Sequence, residues 1–158
     1  MCGIIGIVSR PTGRAVPSRD EVLTGLDAAI GARGDNAIVA QHLRYVDELL
    51  RGDAGMQALA GNLELVAAMT TRLDALDVYA TEEDRRVDAL TGSPAHIEGE
   101  AALVAAVRDP LWSLRRDRLR TADAVHALAG RHASSGALCG YFSIQQALSA
   151  LDRLEVRG

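Results

Sequence analysis

The sequence predicts a mainly α-helical protein in which one N-terminal strand is followed by six or seven helices. Three observations carry that expectation. Aromatic residues make up 3% of a chain that is 48% hydrophobic, so its core must come from Leu, Ala and Val, which suits closely packed helices. Apolar residues recur at intervals of three and four over most of the length. The exception is Ile4-Ile5-Gly6-Ile7-Val8, an unbroken apolar run that reads as a short buried strand.

Taken in order, Ser9–Pro17 holds two prolines and a glycine and reads as a loop. Ser18-Arg19-Asp20-Glu21 has the form of a capping box, with serine at the N-cap and glutamate three positions on, and starts a helix to about Ile30. A second helix, about Asn36–Arg51, carries Val39, Leu43, Val46 and Leu50 on one face. The third, about Met56–Val78, carries a near-heptad stripe of Leu59, Leu63, Val66, Leu73 and Leu76, with Met69 in the seam. Thr81 opens a weaker stretch to about Leu90, broken by Thr91–Pro94. A short helix follows over about Ile97–Arg108. Asp109-Pro110 reads as a restart, aspartate as cap and proline at the first helical position. That helix runs to about Ala129 with Leu111, Leu114, Ala122 and Val125 on a face. The last helix, about Leu138–Glu155, buries Tyr141, Ile144, Leu148, Leu151 and Leu154.

A length of 158 residues allows one domain with a sizeable core, and the formal charge of −4 calls for neither nucleic acid nor an acidic membrane surface. No window approaches the ~20 apolar residues that span a bilayer. Two cysteines, Cys2 and Cys139, do not make a disulfide framework, which fits a reducing cytoplasm. Cys139, beside Gly140, reads as a packed thiol. His42, His96, His126 and His132 show no metal-ligand spacing. The run Arg115-Arg116-Asp117-Arg118-Leu119-Arg120 has no interleaved aromatics for base stacking, and reads as a solvated face pairing with acidic neighbours. Trp112 reads as a packing anchor.

The residue that invites chemistry is Cys2. Once the initiator methionine is trimmed, thiol and α-amine share one residue. Their ordinary pKa values are about 8.5 and about 7.7–8.0, so the amine can take the thiol proton near neutral pH. Met1-Cys2-Gly3-Ile4-Ile5-Gly6-Ile7 resembles the opening of the class II glutamine amidotransferases, which are N-terminal nucleophile hydrolases. Leu151-Asp152-Arg153-Leu154-Glu155-Val156-Arg157-Gly158 is similar to the Leu-x-x-Leu-Glu-Tyr-Arg-Gly segment that ends the first amidotransferase helix in the glucosamine-6-phosphate synthase branch, with Val156 in place of the tyrosine.

The resemblance implies a layout. Residues 1–9 would be the first strand of an αββα amidotransferase domain, 10–135 an inserted helical bundle, and 136–158 the first helix of that domain, ending at its Arg-Gly. Cys2 would be the catalytic nucleophile and Arg157 a supporting substrate-binding residue, with no metal and no cofactor. Glutamine would be hydrolysed to glutamate and ammonia, the ammonia passing to fructose 6-phosphate to make glucosamine 6-phosphate. The sugar phosphate would bind in domains outside this sequence, and the parent would be a homodimer. The family's oxyanion Asn-Gly and its glutamine-gripping residues fall after the Arg-Gly, so these 158 residues alone are expected to be close to inert. Two other readings stay open: an amidotransferase with a ribosyl or aspartyl acceptor, and a non-catalytic helical interaction module docking through the Leu59–Leu76 stripe.

Overall fold

The computed structural model describes residues 13–130 and 132–155. Among the described residues seven α-helices follow one another: α1 (Arg19–Gly31), α2 (Asn36–Leu49), α3 (Gly52–Leu59), α4 (Leu63–Asp88), α5 (Pro94–Ser113), α6 (Arg120–Ala129) and α7 (Ser135–Glu155). A π-helical segment, Leu114–Leu119, joins α5 to α6 without a break.

The starts of the helices are chemically specified. Ser18 accepts from the Glu21 N–H at 3.2 Å, and the Glu21 carboxylate accepts from the Ser18 N–H at 3.2 Å, closing the expected box. Asp35 accepts from the N–H groups of Ala37 and Ile38, both at 3.1 Å. Ser93 caps α5, with Pro94 in its first turn.

Helices α1, α2, α5 and α4 form a ring of neighbours. α1 packs against α2 and α4, and α5 packs against the same two from the other side. Each contributes one stripe to a shared core. Val22, Leu26 and Ala29 come from α1, and Val39, Leu43 and Val46 from α2. Met69, Leu73, Leu76 and Ala80 come from α4, and Val107 and Leu111 from α5. These spacings of three and four keep each set on one side of its helix. α1 and α2 approach closely because Gly25 has no side chain: a Cβ there would lie 2.5 Å from Val46 Cγ2. The ring is tied on its outside by ion pairs. Arg72 of α4 grips Asp27 of α1 at 2.8 and 3.0 Å, and Arg86 of α4 pairs with Glu83 on its own helix and with Glu100 of α5. Beside the ring, α7 lies against α3 and α6, and Phe142 of α7 joins the same buried cluster.

Several expectations change. The αββα arrangement is overturned: the chain is all-helical, with no strand among the described residues. The strand expected at 1–9 lies outside the described residues. The single helix expected over Met56–Val78 is two. Gly61 takes φ +78° and Asn62 caps α4 by accepting from the Leu65 N–H at 3.2 Å. Glycine is a poor helix-interior residue and asparagine a good N-cap, each by about 1 kcal/mol, so the Gly-Asn pair favours a break. Conversely, Thr81 does not start a helix: its hydroxyl donates to the Asp77 carbonyl four residues back at 2.8 Å, and α4 runs on to Asp88. Nor does Pro110 restart one. It is buried inside α5.

α7 differs most. Of its expected buried edge, Ile144, Leu148 and Leu151 are exposed, while Tyr141 is half-buried and packed on the core. Trp112, expected as an anchor, is 56% exposed.

Candidate functional site

Cys2 and Arg157, the two residues with expected roles in catalysis, both lie outside the described residues. So does the rest of the Met1–Val8 motif. What the structure builds is a different feature, an open cleft of about 430 Å³ between α2 and the end of α5. It is lined by Arg44, Asp47, Glu48, Arg51, Asp109 and Ser113, among others.

Its organising group is Asp47. One carboxylate oxygen accepts from the Ser113 hydroxyl at 2.8 Å and from Arg118 Nε at 3.0 Å, and the other accepts from Arg118 Nη2 at 3.1 Å. Asp47 and Arg118 keep only 13% and 14% of their side-chain surface exposed. Ser113 and Arg118 are five residues apart, which on an α-helix places them about 140° from each other. The π segment changes that phase. Its bonds run from i+5 back to i, as from the Arg120 N–H to the Arg115 carbonyl, so residues five apart sit one above the other. Both therefore reach the same carboxylate on α2. The sequence offered no sign of this cluster, because a six-residue π turn leaves apolar periodicity almost intact.

The cleft has no activated nucleophile. The Ser113 hydroxyl gives its proton to an aspartate already paired to arginine, and no histidine stands beside it. Glu48 is paired with Arg51 at 3.0 Å. Three arginines, counting Arg118, face Asp47, Glu48 and Asp109, so the charges cancel and select no ion of either sign.

The arginine run divides as its setting dictates. Arg115 reaches Asp74 at 2.6 Å and Asp77 at 2.5 Å on α4, Arg118 holds Asp47, and Arg116 and Arg120 are exposed. Arg115 Nε is buried without a partner among the described residues. Cys139 on α7 is half-buried, and Gln57 Nε2 donates to its sulfur at 3.7 Å. Burial, with Asp53 nearby, pushes its thiol pKa above the ordinary value. That makes it a poor nucleophile at neutral pH. His126 packs its ring against Gly61, and His42 and His96 sit on separate helices. Among the described residues no group of three or more His, Cys, Asp and Glu could hold a metal ion, and no helix is long and apolar enough to cross a membrane.

A polar cluster missed by sequence reasoning but easily rationalised is the link between α1–α2 and α4. Tyr79 donates to Asn36 Oδ1 at 2.7 Å and accepts from the Gly34 N–H at 3.2 Å, while Asn36 Nδ2 donates to Glu83 at 2.8 Å. These hydrogen bonds hold the helices together. No protein-family model matches the chain, and no curated protein and no solved structure matches it significantly.

Proposed function

We propose that this chain supplies the nucleophile of a glutamine-dependent amidotransferase, with Cys2 as the attacking residue. The observation that carries the reading is the run Met1-Cys2-Gly3-Ile4-Ile5-Gly6-Ile7-Val8, and Leu151–Gly158 supports it from the other end. What is taken from the resemblance is the chemistry of a terminal cysteine; the αββα scaffold is no part of it.

After methionine removal, the α-amine of Cys2 accepts the thiol proton. The sulfur then attacks the side-chain amide carbon of glutamine, and its electron pair forms the C–S bond as the carbonyl electrons move to oxygen. Collapse of that intermediate breaks the C–N bond. The α-ammonium returns its proton to the departing nitrogen, which leaves as ammonia. Water then attacks the γ-glutamyl thioester, releasing glutamate and restoring the thiol. Arg157 assists as a supporting contact to substrate. The ammonia goes to fructose 6-phosphate, giving glucosamine 6-phosphate, in the cytoplasm, within a homodimeric parent that holds the sugar phosphate on other domains.

The test is labelling of the full gene product with an electrophilic glutamine analogue, with mass-spectrometric mapping. The expected result is one adduct on a Cys2 that has lost Met1, abolished in Cys2→Ala and retained in Cys139→Ser. Retention of Met1, or an adduct absent from Cys2, refutes the reading.

A second reading, a non-catalytic helical interaction module, is favoured by the apolar edge of α7. The surface first expected for docking cannot serve, since Leu59, Leu73 and Leu76 are in the core. An unlabelled Cys2 in an active complex-forming protein is the outcome that selects this second reading.

A further inference from the structure

Two large apolar side chains of the α4–α5 pair face water, Trp112 at 56% and Val78 at 59% exposure among the described residues. The ion pairs around them fix their level. Arg108 of α5 pairs with Asp84 of α4, and Arg115 reaches Asp74 and Asp77. The two helices therefore run antiparallel, and position 112 falls level with position 78. Trp112 stands four residues after Arg108, and Val78 four after Asp74, each about 40° further round its helix. All of them share one face. Ala101 and Ala105, seven and three residues before Arg108, continue it with small exposed side chains. The paired groups keep between 30% and 63% of their side-chain surface exposed, so they border the apolar pair in solvent.

The charges on this face are sorted by helix. Asp74, Asp77 and Asp84 lie on α4, and Arg108 and Arg115 lie on α5. A partner of one charge sign gains against one helix what it loses against the other. The pattern that complements both is the face itself. A two-fold axis parallel to the helices keeps every residue at its own height and sets α4 of one copy over α5 of the other. Asp84 then meets Arg108 of the second copy, Asp74 and Asp77 meet its Arg115, and Val78 meets its Trp112. A two-fold axis perpendicular to the helices instead sets α4 on α4 and opposes like charges, which costs several kcal/mol. The charge layout thus selects one symmetric arrangement, with the same patch on both copies.

The area is close to sufficient. α5 is about 30 Å long, and two helices abreast are about 20 Å wide, which gives about 600 Å² in projection. Side-chain relief raises the accessible area above that figure, toward the ~800 Å² per partner of a standard interface. Tryptophan and arginine are also the residue types on which binding energy concentrates.

We propose that a second copy of this chain covers the Trp112–Val78 face in a two-fold dimer whose axis runs along α4 and α5. The inference concerns this surface and stands whether or not Cys2 is a nucleophile.

Sedimentation equilibrium of the full chain, with the emission of its single tryptophan followed over the same concentrations, tests it. The expected result is a monomer–dimer equilibrium with Kd on the order of 10 µM and a blue shift of Trp112 emission as dimer forms. Val78→Asp and Trp112→Ala should each weaken it at least ~10-fold, and Leu148→Asp on α7 should leave it unchanged. The exchange Asp84→Arg/Arg108→Asp keeps opposite charges at both levels, so that variant should pair with itself as the parent does. Mixed with the parent it should pair at least ~10-fold more weakly, because like charges then meet. A parent chain that stays monomeric at about 200 µM overturns the proposal. So does a dimer indifferent to Val78→Asp, or an exchange variant that pairs freely with the parent. Circular dichroism confirms that each variant is folded, and Trp112→Ala carries the test where Val78→Asp unfolds the chain.

Discussion

Removing the Asp47 carboxylate should unfold the chain at markedly lower denaturant, for a reason that can be sized. Asp47→Ala deletes three hydrogen bonds and leaves a guanidinium that is only 14% exposed with no counter-charge. Stranding one member of a fully buried ion pair costs about 3–5 kcal/mol. Arg118 retains some solvent, which brings the expected loss to about 2–4 kcal/mol. With urea m-values of about 1–3 kcal/mol/M, the midpoint should fall by about 1–2 M. Arg118→Met is the milder change, about 1–2 kcal/mol, because it keeps the stem and leaves Asp47 its bond from Ser113. The double variant Asp47→Leu/Arg118→Met should be more stable than the sum of the single losses predicts, by about 1.5 kcal/mol or more. Equilibrium urea denaturation of the four proteins closes the cycle. A coupling below about 0.5 kcal/mol would show that the pair is an ornament of the surface and that the π segment is not needed to place Arg118.

Other outcomes follow from particular contacts. Tyr79→Phe leaves Asn36 Oδ1 and the Gly34 N–H without their partner and should cost about 1–3 kcal/mol by the same denaturation assay. Burial also holds the Tyr79 hydroxyl above its ordinary pKa. Its contribution is therefore complete below about pH 10 and lost as pH rises through the folded-state value, so Tyr79→Phe should flatten the alkaline limb of a stability–pH curve. Gly61→Ala forces a side chain onto a residue at φ +78° and sets its Cβ 3.0 Å from the His126 ring, and should lower stability by about 1–3 kcal/mol. At pH 8 Cys139 should react with iodoacetamide more slowly than a free thiol, since burial raises its pKa. A rate equal to that of glutathione would contradict its placement.

Much of the helical architecture could be read from the chain because it is written locally. Ser18 and Glu21 are a complete capping device within four residues, and Val39, Leu43 and Val46 declare a face whatever lies opposite. What failed had mixed causes, one of them local. Apolar periodicity passes through Gly61-Asn62 undisturbed, and only the cap chemistry of Asn62 and the left-handed φ of Gly61 end the helix there. Asp109-Pro110 looks like a start, yet Pro110 is tolerated inside α5 with Val107 and Leu111 buried around it. Trp112 and the α7 edge carry the right residue types for a core, but exposure is decided by which neighbour arrives, and none of the described helices does. The candidate cleft was invisible for the same reason. Asp47, Ser113 and Arg118 are 66 and 71 residues apart along the chain, across two helices and a change of helical phase. The nucleophile motif, by contrast, is legible only as sequence, because its residues lie outside the described part of the chain.

The π segment also acts as a phase setting for everything downstream. Ala122 and Val125 reach the interior because the backbone between Leu114 and Leu119 turns more slowly than an α-helix. Were the same six residues wound as ordinary α, the following helix would be rotated by about 100°. Val125 would swing out toward water and α7 would lose its seat, though no core side chain had been altered.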